Sequence, residues 1–238
     1  MPAAFGLVGE DGELMKIEGA IFDLDGTLLN SMFVWDTIGE EYLRSRGMEP
    51  RENLNEKFRS MSLYQAACYY QEEYGLADST DAIMNGINEM IEHFYVHKVQ
   101  PKVGVQAFLA NMRALEVKMC IATATDRHLV EAALSRTGLL FYFGEIFTCG
   151  TVGSGKDMPD IFHAAHRFLQ TPKESTWVFE DALYAVKTAK SAGFPVVGVF
   201  DSFERSPDEV RHLSDLYIQS FEEMERILDE KGSDHSRL

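Results

Sequence analysis

The chain's 238 residues, 45% of them hydrophobic, are enough for one large domain or two small ones with a sizeable core. Its 22 basic against 38 acidic residues leave a formal charge of −16 with no run of Lys or Arg, which argues against nucleic acid and leaves small phosphorylated metabolites open. No apolar segment approaches membrane-spanning length, so no membrane partner is expected, and three widely spaced cysteines, Cys68, Cys120 and Cys149, suggest a reducing, cytoplasmic compartment.

The opening MPAAFGLVGEDGELMK lacks the basic region and long apolar stretch of a secretory signal. Residues 1–16 are expected to be a flexible lead-in or a short hairpin turning at Asp11-Gly12, and 229–238 a flexible tail. The apolar run Ile17 to Phe22 predicts the first buried strand. Next come three helical patterns, Met32 to Arg46, Ser62 to Tyr74 and Asp81 to Lys98, joined by polar turns and too rich in apolar residues for a linker. Further strands are predicted at Val117 to Ala122, Glu145 to Thr148, Thr176 to Phe179 and Pro195 to Phe200, with Leu216 to Ile218 as an edge. Helices are predicted at Asp126 to Arg136, Pro159 to Leu169 and Asp181 to Ala192.

Strands alternating with helices imply an α/β fold: a Rossmann-like parallel sheet with helices on both faces. The roughly ninety residues between the first two strands far exceed the dozen or so that a crossover needs. The expected division is a core of 17–31 and 101–222 with an α-helical cap of 32–100 inserted after the first strand.

The carboxyl ends of parallel strands share one edge, where open α/β folds place their ligands. The first strand runs into Asp23-Leu-Asp-Gly-Thr27, the second ends at Thr123, and the strand from Thr176 to Phe179 runs into Glu180-Asp181. Lys156 follows another strand and reaches the same edge. It lies in Gly150 to Asp157, GTVGSGKD, which opens like a nucleotide phosphate loop. However, such a loop needs a Ser or Thr hydroxyl after the lysine for Mg²⁺, and Asp157 stands there.

Several carboxylates in one crevice require a cation, and hard oxygen ligands favour Mg²⁺, with Asp23, Asp25, Asp181 and Glu180 as candidate ligands. Asp23 can present an oxygen to phosphorus as a nucleophile. Asp25 can protonate the leaving oxygen and then deprotonate water. Thr123 and the amide of Ala124 can cradle phosphate oxygens, and Lys156 can neutralise charge on the transferring group.

DLDGT after an apolar run, then CIAT, an isolated lysine and ED, in that order, resemble the four motifs of the haloacid dehalogenase superfamily. Lys156 to Phe162, KDMPDIF, is similar to the K-P-x-P-D-[IV]-F segment of its phosphatase branch, whose small helical cap matches the insertion. The resemblance implies an enzyme: a Mg²⁺-dependent phosphatase of a small phosphate monoester, a sugar or polyol phosphate, acting through an aspartyl-phosphate. A β-phosphoglucomutase-like mutase is the alternative, and a non-catalytic HAD-fold binding protein a further one. Two residues depart from the pattern: Asn30 stands where DGTLLDS has Asp, and Trp35 where the mutases have histidine.

Other candidates have plainer explanations. His93 with His97 and His163 with His166 have metal-pair spacing but no third ligand. Arg59 and Tyr64 read as a solvated charge and a core-edge aromatic rather than substrate contacts, and Phe33, Trp35, Phe94 and Tyr95 read as cap packing.

Overall fold

The computed structural model describes residues 6–8, 14–58, 61 and 63–224. In chain order its elements are β1 (Gly6–Val8), β2 (Leu14–Lys16), β3 (Gly19–Phe22), β4 (Leu29–Asn30), α1 (Met32–Ser45), α2 (Leu54–Phe58), α3 (Leu63–Tyr74), α4 (Thr80–His97) and β5 (Gln100–Pro101). They continue with α5 (Val105–Ala114), β6 (Lys118–Thr123), α6 (Arg127–Arg136), β7 (Ile146–Thr148), α7 (Cys149–Val152), α8 (Asp160–Leu169), β8 (Thr176–Glu180), α9 (Leu183–Ser191), β9 (Val196–Val199), α10 (Pro207–Leu213) and β10 (Leu216–Ile218). The chain forms two compact units, Met1–Asn30 with Gln100–Leu238, and Ser31–Val99.

In the first unit six strands form a sheet in the order β10-β9-β8-β3-β6-β7, every neighbouring pair parallel. The α/β expectation therefore holds. Its register explains the continuous apolarity. Ile21 stands opposite Cys120 and Val178, and these side chains face a core completed by Ile161, Phe162 and Val186 from α8 and α9. Phe22 and Phe179, one residue on, point to the other face by the period-two alternation of a strand. Their rings stack with centroids 4.4 Å apart, and Phe108 of α5 meets Phe22 edge-on at 6.2 Å. Both faces are thus dry, which is why no polar residue alternates through the central strands.

Leu29 and Asn30 pair antiparallel with Pro101 and Gln100, so the chain leaves and re-enters this unit side by side. β1 pairs antiparallel with β2, so this part of the lead-in is strand rather than irregular chain. The expected Asp11-Gly12 turn and the tail 229–238 lie outside the described residues. Among the described residues no helix is long and apolar enough to cross a membrane.

The second unit is helical, as its sequence periodicity predicts. Its centre is aromatic: Tyr70 is fully buried, with Tyr42 and Phe58 rings at 5.6 and 5.0 Å. Burying a phenol requires a partner for its hydroxyl, and Tyr70 donates to the Gly39 carbonyl at 2.7 Å. A Cβ on Gly39 would lie 2.6 Å from the Phe58 ring, so only glycine allows this approach. Phe94 and Tyr95 are buried, which accords with the packing expectation for them, whereas Phe33, edge-on against Phe94, is 38% exposed. Trp35 is 45% exposed.

Candidate active site

The crevice begins where the β3 ladder runs one residue past its strand. The Asp23 N–H donates to the Phe179 carbonyl at 2.9 Å, which fixes the Asp23 backbone beside β8. The chain then turns sharply: Leu28 and Leu29 N–H both donate to the Leu24 carbonyl, and Gly26 N–H donates to the Leu29 carbonyl at 3.0 Å. Gly26 has φ +84°, a conformation that costs a residue with a Cβ and is free for glycine. The turn leaves Asp23 buried, Asp25 half-buried and Thr27 fully buried.

Lys156 is 3% exposed, and its Nζ donates to Asp23 Oδ1 and, at 2.8 Å, to Glu180 Oε2. The glycine-rich stretch around it is no phosphate cradle. It holds the single-turn α7, closed at its start by a Thr148–Thr151 capping box and at its end by Gly153 at φ +87°. Burial opposes the Lys156 charge, yet Asp23 and Glu180 outweigh it and hold the ammonium above the ordinary lysine range. Glu180 is buried beside Asp23, and despite Lys156 its carboxyl is pushed up to about 8. Asp181 is raised well above a normal aspartate, first by burial, then by Asp23, Glu180 and Asp201, with Lys102 opposing. Burial also raises Asp23, against the pull of Lys156.

One carboxylate oxygen each from Asp23, Glu180 and Asp181 lie within 4.8 Å of one another. Three buried carboxylates against one lysine leave an excess of negative charge that low dielectric makes costly. The donors are hard oxygens without sulfur or imidazole, the chemistry of a Mg²⁺ site, so the residues fit that ion. The Asp25 carboxylate stands outside this trio and accepts from Thr125 Oγ1 at 2.5 Å. The histidine pairs do not join it. His93 and His97 are exposed, with rings 4.7 Å apart, and His166 faces the Thr171 carbonyl at 2.9 Å.

Thr123 is buried at the end of β6, and its Oγ1 accepts from the Thr125 N–H at 3.1 Å. A hydroxyl that accepts retains a proton to donate. Ala124 follows and is exposed. Tyr64 is 57% exposed, and Arg59 lies outside the described residues.

Three contributors carried no role in the sequence. Thr125 holds Asp25 across 100 positions. Thr27 Oγ1 donates to Asp181 Oδ1 at 3.0 Å, joining the turn after β3 to the end of β8. Lys102 Nζ donates to the Gly26 carbonyl, to the Phe200 carbonyl at 2.6 Å and to Asp201 Oδ2 at 2.9 Å. Of these only Thr27 left a signal, its place inside DLDGT.

Comparison with known proteins agrees with this geometry. Residues 20–199 match the family model described as haloacid dehalogenase-like hydrolase. A Drosophila melanogaster protein named "Probable pseudouridine-5'-phosphatase" is 30% identical over 194 residues, covering 79% of this chain and 84% of its own. The Arabidopsis thaliana (DL)-glycerol-3-phosphatase 2 is 30% identical over 195 residues, covering 78% of this chain and 80% of its own. A Thermotoga maritima crystal structure superposes with a TM-score of 0.79 at 23% identity, covering 91% of this chain and 99% of the other, a likeness of fold. With the motif residues gathered on one sheet edge and the family model spanning most of the chain, this protein belongs to the haloacid dehalogenase-like hydrolases.

Proposed function

We propose that this hydrolase is a Mg²⁺-dependent phosphatase of a small phosphate monoester, a sugar or polyol phosphate. The observation that carries this reading is the Asp23–Lys156–Glu180–Asp181 cluster, with Asp25 two residues from Asp23 and bonded instead to Thr125. Two carboxylates two residues apart thus have different surroundings, which suits them to different tasks. In the proposed reaction an Asp23 oxygen attacks phosphorus, the bond from phosphorus to the leaving oxygen breaks, and Asp25 supplies a proton to that oxygen. Asp25, now ionised, takes a proton from water, whose oxygen attacks phosphorus and releases phosphate from Asp23. Thr123, the Ala124 amide and Lys156 would hold the phosphoryl oxygens. Asp23, Glu180 and Asp181 would hold Mg²⁺, which offsets the repulsion between carboxylate and phosphate.

The named substrates of the two relatives, a pseudouridine phosphate and a glycerol phosphate, are both monoesters of a polyhydroxylated carbon skeleton. That supports the substrate class. Hydrolysis is favoured over mutase action because α1 begins Met32-Phe33-Val34-Trp35 and offers no imidazole to handle the proton of a sugar acceptor. The test is phosphate release from a set of phosphorylated metabolites with Mg²⁺, repeated with chelator. Release that stops in chelator is expected. Full turnover in chelator would remove the metal, and conversion of β-glucose 1-phosphate to glucose 6-phosphate without phosphate release would make the enzyme a mutase.

Two results follow from the separate surroundings of Asp25. Asp25→Asn should still form the aspartyl-phosphate from an ester with a good leaving group, then turn over about 10²–10⁴-fold more slowly, the usual share of general acid–base catalysis. Rapid quenching would show the phosphoenzyme accumulating. Thr125→Val should lower kcat about 10- to 100-fold, since a hydrogen bond to a charged group contributes about 1.5–3 kcal/mol, whereas Thr125→Ser should recover most of it. Equal losses in the Val and Ser variants would mean that the hydroxyl is not what matters.

A further inference from the structure

Gly26 is the weak point of the turn that carries Asp25 and Thr27. Its φ of +84° lies where glycine is free, and glycine is also the residue with the most conformations to wander into. The turn's own bonds hold the Gly26 N–H but not its carbonyl, and Lys102 is placed to hold that. The Lys102 N–H donates to the Leu28 carbonyl at 2.9 Å, so its backbone is fixed to the same turn. Its three Nζ protons match the three acceptors found, the Gly26 carbonyl, the Phe200 carbonyl and Asp201 Oδ2. The Asp201 side chain is 4% exposed and is itself oriented, because its Oδ1 accepts from the Phe203 N–H at 2.9 Å.

The strand order gives this arrangement its reach. β8 lies between β3 and β9, so a side chain that bonds Gly26 beyond β3 and Asp201 beyond β9 crosses the end of β8, where Glu180 and Asp181 sit. The Gly26 carbonyl belongs to the peptide that leads into Thr27, whose hydroxyl donates to Asp181. Because a peptide is planar, a bond to its carbonyl fixes the approach of Thr27 on one side and the Gly26 torsion next to Asp25 on the other.

We propose that Lys102, oriented by Asp201, is a positioning residue that locks Gly26 and thereby aligns the Asp25 carboxyl with the leaving oxygen. The role rests on the reading of Asp25 as the general acid. It has a signature that mere structural support lacks. Protonating a leaving alkoxide matters greatly, whereas p-nitrophenolate departs with little help, and kcat/KM reports only the steps through departure. A misplacement near 1 Å costs up to about 10²-fold where alignment matters.

The experiment compares Lys102→Met and Asp201→Asn with the wild type on glycerol 3-phosphate, ribose 5-phosphate and p-nitrophenyl phosphate with Mg²⁺, after thermal unfolding shows which variants are folded. Lys102→Met is expected to lose about 10- to 100-fold in kcat/KM on the alkyl esters and less than about threefold on the aryl ester. Asp201→Asn, which keeps its volume and the Phe203 contact, should show the same bias more weakly, and it decides the matter if Lys102→Met does not fold. Equal losses on alkyl and aryl esters, or none, overturn the positioning role while the phosphatase reading stands. A wild type inactive on all three esters overturns that reading and the positioning role with it.

Discussion

Asp23→Asn is expected to abolish phosphoenzyme formation and to lower turnover by about 10⁴–10⁶-fold, the scale on which enzymes with a covalent nucleophile fail when it is removed. An amide is isosteric with the carboxylate but has no charge or lone-pair reactivity to offer phosphorus. The fold should not suffer. Asp23 is buried, and burial pushes its carboxyl upward because ionisation there is unfavourable. Neutralising it therefore removes a repulsion with Asp25 and Glu180 together with an attraction to Lys156. The N–H that joins Asp23 to Phe179 belongs to the backbone and survives the change. A melting temperature within a few degrees of wild type, with no acid-stable or hydroxylamine-sensitive phosphate on the protein, is the expected pair of results. Wild-type turnover in the Asn variant would put the nucleophile elsewhere.

Lys156→Met should combine a rate loss with a stability loss. The lysine is as buried as the carboxylates it joins, and its ammonium donates to both Asp23 and Glu180. A methionine fills similar space without donating to either. Two carboxylates then face one another in low dielectric, and breaking a buried ionic contact by removing one partner typically costs about 3–5 kcal/mol. Catalysis loses a fixed positive charge beside the transferring group, for which about 10²–10³-fold in kcat is the usual scale. Adding Glu180→Gln to Lys156→Met should restore part of the stability, because it removes one of the two unpaired charges, and none of the activity. If the double variant melted no higher than the single one, the destabilisation would have another origin.

Much of the core was legible because its physics is local in sequence. Continuous apolar runs mark strands with two dry faces, and each of the five main runs forms a strand of the sheet within a residue or two of its expected limits. α5 is not announced by the sequence, although Val105, Phe108, Leu109 and Met112 lie at helical spacing and are all buried. Its first residue follows Gly104 at φ +84°, with no side-chain cap to announce a start. A Cβ on Gly104 would come within 2.5 Å of the Glu222 backbone nitrogen, so what places this glycine is packing against a distant segment. The N-terminal pairing of β1 with β2 is weakly marked in the sequence, since strands of 3 residues leave little apolar signal.

The sequence by itself determined which groups meet at the crevice: the order of DLDGT, CIAT, Lys156 and Glu180-Asp181, combined with a parallel sheet, brings those groups to one edge before any coordinate is known. Covalent neighbours such as Asp23 and Asp25 are fixed in spacing, and strand ends in register are fixed in place. Only the tertiary structure decided how the two aspartates are told apart. Asp23 is set against Lys156, 133 positions away, and Asp25 against Thr125, 100 positions away. Lys102 likewise meets Gly26 and Asp201 across 76 and 99 positions. Such contacts have no periodicity, spacing or cap to betray them, because a hydroxyl or ammonium on a loop becomes a partner only when folding closes the chain between the two ends and removes the water that would otherwise bond to each.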